Sequence, residues 1–250
     1  MIQLIVTNDY QEMGRRAALV VADQMKRKAD SVIGFATGST PLGLYQELIK
    51  MYKSGKLDFS QMTTFNLDEY VGLTRDHPQS YYRFMWDNLF SQINVRREAV
   101  HFPDGVFENA DVACQNYEKQ MEQAGGIDLQ ILGIGRNGHI GFNEPDKSFK
   151  IATHIVDLCD DTIEANSRFF ESKSEVPRKA ITMGIGSIMK AKTILLLASG
   201  QKKAEAVKAI FTDRVDPEIP ATVLRLHPNV IVLADREAAS HINQLELQES

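Results

Sequence analysis

The chain has 250 residues, 43% of them hydrophobic and 24% charged, which is enough to bury a substantial core and fits one domain spanning residues 1–250. Its formal net charge of −5 offers no basic field to nucleic acid or to an anionic membrane surface, so a small-molecule partner is expected. The opening MIQLIVTNDYQEMGRR lacks the basic start and apolar run of a signal, and no stretch approaches the ~20 apolar residues of a membrane span; a cytoplasmic location is the expectation.

Short β-rich runs alternate with helical patterns from end to end. Ile2 to Val6 reads as the first strand, and from about Asp9 to Lys28 an amphipathic helix carries Ala17, Ala18, Val20, Val21 and Met25 on one broad face. Strands are then expected at Ser31 to Thr37, Met62 to Asp68, Ala99 to Gly105, Ile127 to Gly135, Ala152 to Leu158, Thr193 to Gly200 and Asn229 to Asp235, with helical patterns filling most of the gaps. This alternation argues for an α/β protein with a mainly parallel sheet flanked by helices on both faces. No linker, repeat or low-complexity segment marks a boundary. Cys114 and Cys159 lie far apart with no Cys or His at ligand spacing, so neither a disulfide framework nor a metal site is expected.

Ligands of such sheets sit beyond the carboxyl ends of the strands, and four of those junctions are unusual. In ATGSTPLGLYQELI, the small residues Thr37, Gly38, Ser39 and Thr40 precede a helix; they suit a phosphate held on backbone N–H groups and a helix N-terminus, or merely a helix cap. In FNLDEYVGL, Asp68 and Glu69 end an apolar strand; pointing to opposite sides, they are not expected to lie together in the core, and one serves either as a base or as a cap.

The third junction, LGIGRNGHIGFNEP from Leu132 to Pro145, gathers four glycines with Asn137, His139 and Glu144. His139 and Glu144 make a proton-transfer pair by type, with a structural histidine as the alternative. Gly133, Gly135 and Gly138 match GxGxxG, but HIGFNEP does not open a helix, so a dinucleotide site is disfavoured and no cofactor is expected. At the fourth, Arg168 in EANSRFF and Lys203 in SGQKKAEAV are cations within reach of the same sheet edge, either for an anion or for solvent. His101, His154 and His227 read as structural.

Taken together, ATGSTPLG, FNLDEYVGL, HPQSYYRFM, GIGRNGHIGFNEP, ANSRFF and KAITMGIG resemble the glucosamine-6-phosphate deaminase family, in the same order and along almost the whole chain. The resemblance implies a modified doubly wound, Rossmann-like α/β fold and metal-free conversion of glucosamine 6-phosphate and water to fructose 6-phosphate and ammonia. It implies Asp68 as the base between C2 and C1, and His139 backed by Glu144 as the ring-opening group. The 6-phosphate would fall to Thr37, Gly38, Ser39, Thr40, Arg168 and Lys203. Two departures stand out. Well-studied members carry Asp where this chain has Asn137, which leaves Asn137 an orienting place in the catalytic group. After Glu144, allosteric members use basic residues that here are replaced by His154 and Val156 within KSFKIATHIV, so no allosteric activator is expected. Monomer and homo-oligomer both stay open. The rival readings are a 6-phosphogluconolactonase of related fold, a non-catalytic sugar-phosphate sensor and an NAD-dependent enzyme.

Overall fold

The computed structural model describes residues 2–167, 170, 172 and 175–242. Seven strands form one all-parallel sheet: β1 (Ile2–Thr7), β2 (Val32–Phe35), β3 (Thr63–Asn66), β5 (Val100–His101), β6 (Leu129–Gly133), β9 (Thr193–Ala198) and β10 (Val230–Asp235), in the order β1-β10-β9-β6-β2-β3-β5. A second, three-stranded antiparallel sheet joins β4 (Asp68–Tyr70), β8 (Lys179–Thr182) and β7 (His154–Asp157) in the order β4-β8-β7.

The helices between them are α1 (Tyr10–Arg27), α2 (Leu42–Lys53), α3 (Tyr81–Asn88), α4 (Ala110–Gln123), α5 (Asp160–Ser167), α6 (Ile185–Met189) and α7 (Ala204–Ile210). Caps fix several of their starts. Asp9 accepts from the Glu12 N–H at 2.7 Å, Ser80 from Arg83 at 3.1 Å and Asn109 from Val112 at 3.1 Å. On one face of the large sheet, Ile33, Phe35, Ile131, Leu195 and Leu197 pack under Met13, Ala17 and Val21 of α1 and Leu44 and Leu48 of α2. On the other, Phe65, Leu132, Ile194, Leu196 and Val232 meet Tyr117 of α4, Ile188 of α6 and Val207 of α7. Strands covered on both faces read as unbroken apolar runs, which is why β9, TILLLA, shows no alternation. Among the described residues no helix is long and apolar enough to cross a membrane.

The expected α/β class and mainly parallel sheet are present, and two strands behave differently from expectation. The run from Ala152 to Leu158 joins the small sheet, where β7 keeps its side chains half-exposed or exposed, unlike the interior strands of the large sheet, which are buried on both faces. The run from Met62 to Asp68 breaks at Leu67, whose N–H still donates to Phe35 O at 3.1 Å while its carbonyl accepts from Met183 N at 2.8 Å. Asp68 thus opens β4 of the second sheet instead of closing a strand of the first. Strand β8, in KAITMGIG, was not expected from the sequence.

Candidate active site

From β2 the chain winds outward through β3 to β5, then returns to the other side of β2 as β6 and winds through β9 to β10. The point of reversal, between β2 and β6, leaves a crevice at their carboxyl ends. A cleft of about 240 Å³ opens there, lined by Thr37, Gly38, Ser39 and Thr40 after β2, Asp68 after β3, residues of the loop after β6 including Asn137 and His139, and Lys203 after β9. It brings together groups from four junctions. Glu144 sits immediately behind His139, and Arg168 lies outside the described residues.

At one side, Gly38 has φ 88°, a left-handed value that glycine adopts without strain. The N–H groups of Gly38, Ser39 and Thr40 donate to no group among the described residues, while Tyr10 Oη donates to Ser39 O at 2.9 Å and accepts from Gly43 N at 2.8 Å. Tyr10 therefore braces the turn, leaving its amides directed to other partners. Lys203, at the end of the turn that follows β9, donates through Nζ to Ile134 O at 2.6 Å, which anchors its ammonium at the cleft.

Asp68 and Glu69 correct the expectation that only one of them would be buried: both are, at 6% and 3% exposure. Glu69 turns to the start of α3, accepting from Tyr70, Tyr81 and Tyr82 N–H groups at 2.8, 2.8 and 2.9 Å. Asp68 faces the cleft and accepts no hydrogen bond from the described residues. Burial, and then the neighbouring Glu69 charge, push the Asp68 carboxyl up to about 8.

The loop after β6 runs from Ile134 to Thr153 without helix, as the Pro145 position implied. A side chain at Gly135 would meet the His139 ring at 2.5 Å, so glycine lets the imidazole lie flat against the backbone. His139 Nδ1 is 3.2 Å from Glu144 Oε2, and the same oxygen accepts from Asn137 Nδ2 at 2.8 Å. Asn137 Oδ1 in turn accepts from His139 N at 3.2 Å, and Thr162 Oγ1 donates to Glu144 Oε1 at 2.5 Å. Burial works against the Glu144 charge, but the bonds from His139, Thr162 and Asn137 outweigh it and hold the carboxyl down at about 2. Glu144 is thus ionised whenever the protein is folded near neutral pH, and Nδ1 of His139 must carry its proton to meet it.

Several lining residues escaped the sequence reading, Tyr81 and Thr162 among them. Tyr81 lines the cleft with its hydroxyl 3.3 Å from Tyr70 Oη; its segment, HPQSYYRFM, entered the sequence reading only as part of the family resemblance. Thr162 lies in an ordinary helical stretch, and its partner Glu144 is 18 residues back, beyond any local pattern.

The profile of the family described as glucosamine-6-phosphate isomerases/6-phosphogluconolactonase matches residues 8–232. A glucosamine-6-phosphate deaminase of Thermoanaerobacter pseudethanolicus is 57% identical over 99% of this chain and 98% of its own. One from Clostridium botulinum is 52% identical over 97% and 99% respectively. Among solved structures, a monomeric glucosamine-6-phosphate deaminase superposes with a TM-score of 0.93 at 46% identity, covering 96% of this chain and 99% of that one. A 6-phosphogluconolactonase of Trypanosoma brucei reaches a TM-score of 0.79 at 20% identity over 97% of this chain and 99% of its own, a likeness of fold alone.

Proposed function

The chain belongs to the glucosamine-6-phosphate isomerase/6-phosphogluconolactonase family, and we propose that Asp68, His139 and Glu144 carry out its deaminase chemistry. The reaction converts glucosamine 6-phosphate and water to fructose 6-phosphate and ammonia. The amino-sugar phosphate enters as a pyranose with its phosphate on the Thr37–Thr40 turn and Lys203; Arg168 is assigned to the same group by resemblance. Unpaired amides beside a helix N-terminus and a lysine ammonium suit a dianion.

Anchoring the phosphate fixes the far end of the sugar, so that C1 and C2 are presented to the other wall of the cleft. His139 takes the C1 hydroxyl proton at Nε2 and returns one to the ring oxygen, with the Glu144 carboxylate stabilising the imidazolium between the two transfers. Asn137 orients both partners of that pair without accepting a proton from the ring. In the open chain, Asp68 removes the C2 proton to give a cis-enolamine and delivers a proton to C1. Water adds to the resulting C2 imine, and ammonia leaves.

One observation carries this reading above the others: Asp68 is a buried carboxylate without a hydrogen-bond donor among the described residues, facing the same cleft as an oriented imidazole. Such a group is a stronger base than a solvated carboxylate and has no structural bond to lose. A lactonase needs no carbon base. The discriminating measurement is turnover in deuterated water: deuterium entering C1 of fructose 6-phosphate, with ammonia released in step, supports the reading, whereas hydrolysis of 6-phosphogluconolactone without ammonia release from the amino sugar overturns it. A cytoplasmic site of action suits a phosphorylated sugar, because its charge keeps it from crossing a bilayer.

A further inference from the structure

Glu144 is held from two directions, and only one of them is the loop that carries it. His139 and Asn137 occupy Oε2, while Oε1 is taken by Thr162 of α5, the helix that follows β7 in the chain. Because the Glu144 carboxylate is ionised and can only accept, the Thr162 hydroxyl must donate to it. The free lone pairs of Oγ1 then accept from Cys159, whose sulfur is 3.3 Å away. The bonds therefore converge on Glu144, from the Cys159 thiol through Thr162 on one side and from the His139 Nδ1–H on the other.

Thr162 itself is buried, at 6% exposure, and lines the cleft beside His139 and Asp68. A carboxylate held at one oxygen only rotates about its last torsion, and the Oε2 position opposite Nδ1 then becomes one of several. With Oε1 pinned to a helix, the carboxylate plane is fixed and Oε2 stays on the imidazole. We infer that Thr162 is a positioning residue of the reaction, which acts by locking the Glu144 carboxylate in the orientation that supports protonated His139. The inference rests on the proposed role of the His139–Glu144 pair.

The test is a double-mutant cycle built on Thr162→Val, which keeps the side-chain shape and removes the donor, and Glu144→Gln. With glucosamine 6-phosphate as substrate, Thr162→Val should lower kcat about 10- to 100-fold, the worth of a hydrogen bond to a charged group, and leave KM within about twofold because the phosphate contacts are untouched. Thr162→Ser, which restores the hydroxyl, should recover most of the rate. In the Glu144→Gln background, Thr162→Val should change kcat by less than about twofold, since no carboxylate remains to support protonated His139, however its side chain is held. An equal loss in both backgrounds, or wild-type kcat in Thr162→Val, overturns the inference while leaving the role of Glu144 intact. A fully active Glu144→Gln enzyme overturns the role of the pair itself, and the inference with it.

Discussion

Asp68 and Glu69 stand side by side in β4, both buried, and differ in one respect: Glu69 accepts three backbone N–H bonds, whereas Asp68 accepts none from the described residues. The difference separates two carboxylates of the same strand into a structural and a chemical group. Burial raises both, Asp68 to about 8 and Glu69 to about 7; at Glu69 alone the amides of Tyr81, Tyr82 and Tyr70 and the nearby Arg75 charge offset part of it. Glu69 therefore ionises first, and its charge makes the second ionisation, that of Asp68, harder still.

The free enzyme should accordingly show kcat/KM rising with pH through the neutral range, reaching half its plateau near pH 8, where Asp68 loses its proton, and levelling about one pH unit above that. The base form is the deprotonated one, so a raised value puts the acid limb high. A pH–rate profile at substrate concentrations well below KM checks this. An acid limb in the ordinary carboxylate range, near the model-peptide value of about 4, would show that Asp68 is not the titrating base.

Replacing Asp68 by Asn should abolish turnover and stabilise the fold. The folded-state carboxyl is raised above its unfolded value of 3.8 to about 8, so between those two limits the native state holds a proton that the unfolded chain has lost. Wild-type stability then falls as pH rises across that window, and the Asn variant is spared the loss. The gain of Asp68→Asn over wild type should grow by about 2–4 kcal/mol between about pH 5 and pH 8, at 1.36 kcal/mol per pH unit. Urea unfolding at the two pH values measures it; a gain independent of pH would refute the assignment of the buried charge to this residue.

Most of the large sheet was legible because its strands are short apolar runs, covered on both faces and bounded by turns. The small sheet was not. The run holding β7 was expected as a strand but of the large sheet, β8 was not expected, and β4 begins directly after Leu67, so its start is set by pairing to β8, more than a hundred residues away. For the same reason the sequence misjudged Glu69. Nothing near it indicates that the amides of α3 will fold over it, and only the tertiary placement of Ser80 to Tyr82 makes its burial tolerable. The loop from Leu132 to Pro145 was legible in detail, because its glycines and polar groups are close in sequence and in space.

Lys203 and the Thr37–Thr40 turn are expected to act on substrate binding and hardly on chemistry. Lys203→Ala should raise KM for glucosamine 6-phosphate about 10- to 100-fold with little change in kcat, the signature of an interaction equally strong in ground and transition states. Steady-state kinetics with unphosphorylated glucosamine provide the control. That substrate should be used as poorly by the wild type as by the variant, and a selective loss with glucosamine would place Lys203 away from the phosphate.

Simple hyperbolic kinetics, with no activation by N-acetylglucosamine 6-phosphate, are expected from the stretch after Glu144. A second phosphate site there would need cations free to meet a dianion. Val156 has no charge, and burial holds the His154 imidazole below the ordinary histidine value, so it is neutral at pH 7. Its Nδ1 is also engaged by Ala152 O at 3.0 Å. Lys150 is 3.9 Å from Asp146, and Asp157, which ends β7, adds a negative charge beside the same depression. An anion arriving there would meet Asp146 and Asp157, which already engage Lys150 and Lys179, an unfavourable balance for tight binding. Initial-rate curves with and without the N-acetylated compound settle the point: a sigmoidal curve that the compound makes hyperbolic would mean that cations from elsewhere complete a site at this place.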